Sequence, residues 1–299
     1  MTGAYWAVAA GLGFGLFQTV NRRAVQGMDV FFATFIQLIV SAIVLAGIAL
    51  LTEDVKPLFS APISAILNFA AAGFFHFFIG WTFLNASQKS IGAARTSPLI
   101  GTTPLFASVL AALTLREFPG PLAMLGIVLI VAGAYVISRT SANPGTPESR
   151  PVKPGWRASW LGLSAALCWA ISPLFIRAGL KDLPSPLLGV TIGAAVSALA
   201  YGIVLLFQRG RRATLTASTE ALTFKIAAGL LVGLSTWMRW IALDLAPVAI
   251  VLAITMVSVP LVIFLSPMVS GKHLEHVTAT VWAGAGLVLG GALLLTFIS

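Results

Sequence analysis

The chain alternates between long apolar segments and short polar ones. Each apolar segment is close to the roughly 20 residues that a helix needs to cross the hydrocarbon core of a bilayer. Lipid offers no hydrogen-bond partners, so a crossing segment must satisfy its own backbone, as a helix does. The pattern predicts an all-α membrane protein with ten transmembrane helices: 5–21, 30–51, 63–84, 91–115, 121–138, 160–176, 186–207, 222–243, 247–270 and 277–297.

The second half of the chain repeats the first at a constant offset. Four residues recur 156 positions later: Gly73 as Gly229, Trp81 as Trp237, Ala86 as Ala242 and Pro104 as Pro260. We therefore predict two five-helix repeats, residues 1–139 and 158–299, joined by a linker at 140–157 that is rich in proline and glycine. Because five is odd, the second repeat enters the membrane upside down. Inverted repeats of this kind are common in alternating-access carriers.

Composition and charge exclude several classes of protein. Hydrophobic residues make up 58% of the chain and charged residues only 9%, whereas soluble domains carry about 25% charged residues. Basic residues meet anionic lipid in the loops of membrane proteins, so the net charge of +9 does not indicate a nucleic-acid partner. Lysine and arginine are concentrated in the odd-numbered loops, which predicts that those loops are cytoplasmic and both termini lie outside.

The acidic residues are informative by their positions. All nine lie in loops or at the ends of predicted spans, so we expect no proton exchange through a carboxylate buried in the membrane. His273 and His276 lie in one loop, where such a spacing is common by chance, and we expect no metal site and no cofactor. Neither a nucleophile with a base nor paired carboxylates occur at membrane depth, so the chain is not expected to be an enzyme.

Motifs in both halves carry a family resemblance. Pro104-Leu105-Phe106 in span four, with Leu115-Arg116-Glu117 at its end, resembles the drug/metabolite transporter superfamily and its ten-helix EamA-type exporters. The second repeat keeps Pro260-Leu261-Val262 but has Gly271-Lys272-His273 in place of the Leu-Arg-Glu end.

Within that superfamily the chain is similar to the bacterial aromatic amino-acid exporters, through one internal match. The stretch Phe14-Gly15-x-x-Gln18-x-x-x-Arg22 recurs as Trp169-Ala170-x-x-Pro173-x-x-x-Arg177 at an offset of 155. The match places an aromatic residue at the same point of each half.

The resemblance implies a fold, a location and a function. The fold would be two inverted five-helix bundles around a central cavity lined by spans one, three, four, six, eight and nine. The protein would lie in the bacterial inner membrane with periplasmic termini, as a monomer whose partners are lipid and a small-molecule substrate. It would export amino acids, including aromatic ones, or related small metabolites by alternating access. The alternative is a multidrug or nucleotide-type carrier of the same fold.

A carrier site needs polar or aromatic side chains and irregular backbone at the membrane midplane. Pro104 and Pro260 lie mid-span at equivalent positions and predict kinks that line the pathway or only assist packing; Pro98 and Pro173 add further irregular backbone. By resemblance, the turn before Pro104 and the turn before Pro260 face the cavity. These two turns contain three of the expected substrate-binding residues: Gly101, Thr103 and Met256.

Ionisable residues inside spans are functional candidates by default. His76 lies near the middle of span three and either serves transport or hydrogen-bonds a neighbouring helix as a neutral imidazole. Arg22, Arg177 and Arg239 lie near span ends, where they either attract a carboxylate or anchor to phosphate head groups; we expect anchoring. The remaining expected substrate-binding residues are Phe14, Phe17, Gln18, Phe77, Trp169, Ser172 and Pro260.

Overall fold

The computed structural model describes residues 2–115, 121–139, 156–207, 217–271 and 277–298. Nearly all of this part of the chain is helical, and no strand occurs in these ranges. This is the expected result for apolar segments that must satisfy every backbone N–H and C=O internally.

The first half opens with two long helices, α1 (Thr2–Gln26) and α2 (Val30–Thr52). Asp29 caps α2, since its carboxylate accepts hydrogen bonds from the N–H groups of Phe31 and Phe32 at 2.8 and 3.2 Å. The remaining elements of this half are α3 (Pro57–Ser60), α4 (Ile63–Gly73), a π-helix (Phe74–Gly80), α5 (Trp81–Ile91), α6 (Ala93–Ile100), α7 (Thr103–Leu115) and α8 (Pro121–Arg139).

The second half follows the same order of long and broken helices. Ser185 begins its second helix, and its hydroxyl accepts a hydrogen bond from the N–H of Leu188 at 3.0 Å. Ser185 lies 156 residues after Asp29, so capping residues at equivalent positions start the second helix of each half. The elements are α9 (Trp156–Asp182), α10 (Pro186–Phe207), α11 (Thr219–Leu245), α12 (Val248–Thr255), α13 (Ser258–Val269) and α14 (Ala279–Ile298).

Each predicted span coincides with helix, but the fourth and ninth spans are not single helices. The fourth divides into α6 and α7 at Gly101 and Thr102, and the ninth divides into α12 and α13 at Met256 and Val257. The third span extends beyond its predicted edge at residue 84 and continues to Ile91. Asn85, Ser87 and Gln88 of this extension are buried in protein, so they do not mark the end of the helix.

The described residues include five helices long and apolar enough to cross a membrane: Val30–Thr52, Ile63–Ile91, Ser159–Asp182, Pro186–Phe207 and Thr219–Leu245. The chain is therefore a multi-pass membrane protein. Helix α1 is not among the five. Its last turns contain polar residues, of which Gln18, Asn21 and Arg22 are buried inside the protein.

Helices from opposite halves pack against each other in equivalent pairs. Helix α1 packs along α11, and α9 packs in the same way along α4, the π-helix and α5. The second helices of the two halves, α2 and α10, contact each other, as do the fifth helices, α8 and α14. Among the described residues, the main core cluster therefore lies between the halves.

The first helices of the two halves run in opposite directions. Arg23, near the end of α1, forms an ion pair at 2.5 Å with Glu220 at the start of α11. Arg177, near the end of α9, donates a hydrogen bond of 2.5 Å to the carbonyl of Ala246, just beyond the end of α11. Helix α1 is therefore antiparallel to α11, whereas α9 is parallel to it.

Equivalent glycines allow the closest helix contacts. A Cβ atom on Gly73 would lie 2.3–2.6 Å from backbone atoms of Gly193 in α10. In the other half, a Cβ on Gly229 would lie 2.8 Å from the Cβ of Val40 in α2. Small residues permit such close approach, which is the main source of helix association in lipid.

Some predictions concern residues that the structure does not describe. The linker predicted at 140–157 lies outside the described ranges except for Trp156 and Arg157, with which α9 begins. Arg116, Glu117 and the predicted loop pair His273 and His276 also lie outside them.

Candidate functional site

The middle of the third span forms a π-helix that contains His76 and Phe77. A π-helix widens the turn, and such segments frequently occur at functional sites. Gly80 ends this segment, and a Cβ there would lie 2.6 Å from Nε1 of Trp169 in α9. The glycine therefore lets the indole of Trp169 reach the backbone of the π-helix, where it donates a hydrogen bond of 3.2 Å to the carbonyl of His76.

Aromatic rings surround the imidazole of His76. The Trp169 indole stacks on it with ring centroids 5.4 Å apart and planes at 20°. Phe77 meets its edge at 4.9 Å, and Trp81 lies 6.4 Å away. Nδ1 of His76 and the hydroxyl of Ser172 are 3.2 Å apart, within hydrogen-bond distance. Four residues expected at the site, His76, Phe77, Trp169 and Ser172, thus lie together.

A buried arginine lies beside this aromatic group. Arg239 of α11 has 5% of its surface exposed and is close enough to His76 for its charge to act on the imidazole. Its Nε and Nη2 atoms, and Nε2 of His76, have no hydrogen-bond partner among the described residues. Arg239 was expected to anchor to lipid phosphate, and that expectation is wrong because the side chain is enclosed by protein.

Arg22 and Arg177, which were also expected to anchor to lipid phosphate, have different surroundings. Arg22 is 6% exposed and donates hydrogen bonds to the carbonyls of Gln88 and Lys89, so it binds protein and not phosphate. Arg177 is exposed at a helix end, and lipid anchoring stays a prediction for it.

The breaks in the fourth and ninth spans differ from the predicted mid-helix kinks. Pro104 and Pro260 lie in the first turns of α7 and α13, where proline is tolerated because the N–H groups have no partner in the helix. At each break, a threonine hydroxyl donates a hydrogen bond to a nearby backbone carbonyl. Thr103 donates to Ile100 at 2.6 Å, and Thr255 donates to Val251 at 2.9 Å.

The two other prolines that were expected to kink their helices lie within helices. Pro98 is inside α6 and Pro173 is inside α9, and both are buried.

Some of the expected site residues lie apart from the aromatic group. A Cβ on Gly101 would lie 2.9 Å from Val288, so this residue faces α14. Met256 packs with Val259 and Ile263 in a separate apolar cluster. By contrast, Phe14 and Phe17 of α1 share one core cluster with the aromatic residues of the π-helix and α9.

A second polar group lies toward one end of the molecule, around Lys225 of α11. The side chain is fully buried, and its ammonium donates hydrogen bonds to Asn21 Oδ1 at 2.5 Å, Gln37 Oε1 at 2.6 Å and Asn85 Oδ1 at 3.2 Å. These three acceptors come from α1, α2 and α5. An ammonium has three N–H donors, so the protonated lysine is fully satisfied without a carboxylate.

The amide group around Lys225 continues toward the middle of the protein. Asn21 donates to Gln88 Oε1 at 2.6 Å, and Gln88 donates to Gln18 Oε1 at 3.5 Å. Gln18 lies one helical turn from Phe14 on α1. Gln18, an expected substrate-binding residue, thus lies between the Lys225 group and the aromatic residues of the core.

Lys225 and the amides around it were not expected at the site. Lys225 lies six residues after the start of α11 and resembles an ordinary loop-flanking lysine in the sequence. A usable signal was present: Asn21, Asn85 and Gln88 are polar residues adjoining apolar spans, and each needs a partner if buried.

The comparisons with known proteins agree with this architecture. The model of the EamA-like transporter family matches residues 1–139, the first half of the chain. A solved crystal structure has the same fold, with a TM-score of 0.65 at 15% identity, over 99% of this chain and 96% of the other. No curated protein matches the sequence. The fold and the family match together define a multi-pass helical membrane protein whose first half is similar to EamA-like transporters.

Proposed function

We propose that this protein is a transporter of the bacterial inner membrane that exports amino acids, including aromatic ones, or related small metabolites. The observation that carries the proposal is the group of aromatic rings around His76, built from the third span of one half and the first span of the other. Flat rings and a few polar atoms in an otherwise apolar interior suit a small, partly aromatic solute. The family match over residues 1–139 supports transport as the activity.

We propose alternating access between two inverted five-helix repeats as the mechanism. The opposite directions of α1 and α9, and the equivalent helix pairs across the halves, support the inversion. In carriers of this kind, two bundles rock about a site near the membrane midplane. The substrate would contact Phe14, Gln18, His76, Trp169 and Ser172, with the termini on the periplasmic side.

Energy coupling through a buried carboxylate does not form part of this mechanism. The six acidic residues of the described ranges lie at helix ends or in loops, and none is buried. Export down a concentration gradient needs no such residue. We therefore expect substrate exchange to persist when the pH is equal on both sides of the membrane.

A nucleotide-type carrier of the same fold is the second candidate, and the buried cations of α11 are the observation that favours it. Lys225 and Arg239 lie 14 residues apart on one face of the helix, or about 21 Å along its axis. Two buried positive charges suit an anionic solute and disfavour a cationic drug.

The experiment that tests the proposal is a substrate panel with purified protein in liposomes of phosphatidylethanolamine and phosphatidylglycerol. Counterflow of labelled phenylalanine, leucine, a nucleoside monophosphate and a cationic dye is measured without an ion gradient. We expect phenylalanine to exchange fastest. Exchange of the nucleotide alone would favour the second candidate, and exchange of none of the four would reject transport of these classes.

A further inference from the structure

Arg239 is a buried cation for which the described protein supplies no partner. Its Nε and Nη2 atoms donate no hydrogen bond to any described acceptor, and no described carboxylate forms an ion pair with it. A guanidinium keeps its charge in proteins. Burying such a charge without a partner carries a large desolvation penalty. The described residues therefore leave Arg239 without the acceptor that a buried guanidinium needs.

The other buried cations near the interior already have protein acceptors. Lys225 donates to three amide oxygens, and Arg22 donates to two backbone carbonyls. Arg95, also buried, donates to the carbonyl of Ile91 at 3.4 Å. Arg239 differs from these three because it forms no hydrogen bond or ion pair with any described residue.

The surroundings of Arg239 indicate which acceptor fits. His76 lies within electrostatic reach and has its own unpartnered nitrogen, Nε2. Rings also contact that imidazole: Trp169 stacks on it and Phe77 meets its edge. A solute with an anionic group at Arg239 and an apolar, flat body beside His76 would match both features.

We infer that Arg239 is the carboxylate-binding residue of the transport site, and that the substrates are carboxylic acids with an aromatic or apolar body. A guanidinium binds a carboxylate through two parallel N–H···O bonds, which gives both affinity and orientation. The inference rests on the proposed function and narrows it: the carboxylate is required, whereas the amino group is not.

Four compounds that share one ring test this requirement. Counterflow of labelled phenylalanine into liposomes is competed by 3-phenylpropionate, phenethylamine and phenylalanine amide. Removing one charge-assisted pair weakens binding by about tenfold or more. We therefore expect 3-phenylpropionate to compete well and the two compounds without a carboxylate to compete at least about tenfold more weakly. Equal competition by all three would overturn the inference even if phenylalanine is transported.

Variants then locate the requirement at Arg239. Arg239→Gln should raise the KM for phenylalanine by about tenfold or more and abolish the preference for the acid over the amide. Arg239→Lys keeps the charge but not the paired N–H geometry, so it should keep part of the preference. Arg177→Gln is the matched control, because Arg177 is an exposed arginine bonded to a backbone carbonyl. An unchanged preference in a folded Arg239→Gln protein would overturn the inference.

A binding measurement separates this inference from the proposed function. The unfolding temperature of the purified protein is recorded with and without 3-phenylpropionate. We expect 3-phenylpropionate to raise the unfolding temperature of the wild type and of Arg177→Gln. It should raise that of Arg239→Lys less and that of Arg239→Gln not at all. This result would support the binding site even if no amino acid is transported. If transport does not depend on Arg239, the proposed carboxylate site is wrong but the proposed function stands. If the protein shows no stabilisation and no transport, both the site and the function are rejected. If Arg239→Gln does not fold, the inference is tested by the acid-over-amide preference of Arg239→Lys and by the competition experiment on the wild type.

Discussion

His76, Lys225 and Arg239 place polar chemistry inside a protein that is otherwise apolar. Only His76 is evident from the sequence, because it is ionisable and lies in the centre of an apolar span. Lys225 and Arg239 lie nearer the ends of their helix, where long basic side chains normally reach the lipid head groups. Their burial depends on which helices surround α11, and sequence periodicity does not report that.

Trp169 provides the largest ring surface beside His76, and replacing it should weaken substrate binding. Trp169→Ala removes the stacking contact at 5.4 Å and the hydrogen bond to the His76 carbonyl. We expect the KM for phenylalanine counterflow to rise about tenfold, which corresponds to roughly 1.4 kcal/mol, while the protein still folds. Trp282→Ala is the control, since Trp282 is 44% exposed on α14. Normal transport by Trp169→Ala would remove this residue from the site.

Lys225 should contribute strongly to stability. Lys225→Met keeps the length of the side chain but leaves Asn21 Oδ1 without a donor and removes one of the two donors to Gln37 Oε1 and to Asn85 Oδ1. An unsatisfied buried polar group costs about 1–3 kcal/mol and a lost hydrogen bond about 1 kcal/mol, so we expect a loss of about 3 kcal/mol in the free energy of unfolding. Chemical unfolding in detergent measures it. Lys181→Met, at an exposed lysine, should change stability little, and equal stability of the two variants would contradict the role of the amide group.

At the scale of elements, helix position was predictable and helix continuity was not. Each predicted apolar segment coincides with helix in the described residues, because hydrophobic length is what the bilayer requires. The π-helix at Phe74–Gly80 and the breaks before Pro104 and Pro260 depend on tertiary contacts. Proline alone predicted a kink four or five residues after Ile100 and Thr255, where the preceding helices actually stop. Threonine hydroxyls donate to nearby carbonyls at both breaks.

The contact between the third span and α10 depends on a pair of glycines. In Gly73→Ala, the new Cβ would lie 2.3 Å from the carbonyl oxygen of Gly193, so the two helices must separate. We expect a loss of about 2 kcal/mol in the free energy of unfolding. Gly47→Ala is the matched control, because nothing lies within 4 Å of a Cβ there, and its better helix propensity should stabilise α2 slightly. Equal effects of the two substitutions would show that the Gly73 contact is not tight.

At the scale of the whole molecule, the two halves share an order of helices but not their polar chemistry. The residue 156 positions before Lys225 is Phe69, which is fully buried. Cβ atoms on Gly179 and Gly189 would each lie 2.6 Å from its ring, so these glycines make room for it. The position that holds a buried lysine among amides in the second half therefore holds a buried phenylalanine beside glycines in the first. We expect the two positions to respond differently to substitution.

The inverted repeat predicts the sides on which equivalent loops emerge. Single cysteines are introduced at Asp54 and, 156 residues later, at Gly210, after the one native cysteine, Cys168, is replaced by serine. A charged maleimide should label position 54 from the periplasmic side only and position 210 from the cytoplasmic side only, because basic residues favour the cytoplasm. Labelling of both from the same side would contradict the inversion. A cysteine at Lys181, predicted on the side of position 54, is the internal control.

The sequence by itself determined the helical class, the apolar segments and the twofold repeat, because the bilayer imposes length, hydrophobicity and an internally bonded backbone. It also identified the aromatic residues and the histidine that lie together. Only the tertiary structure decided which basic residues are buried and which have acceptors. A lysine or arginine near a span end has the same local sequence whether it faces lipid or protein, and the packing of α1, α2 and α5 around α11 makes the difference.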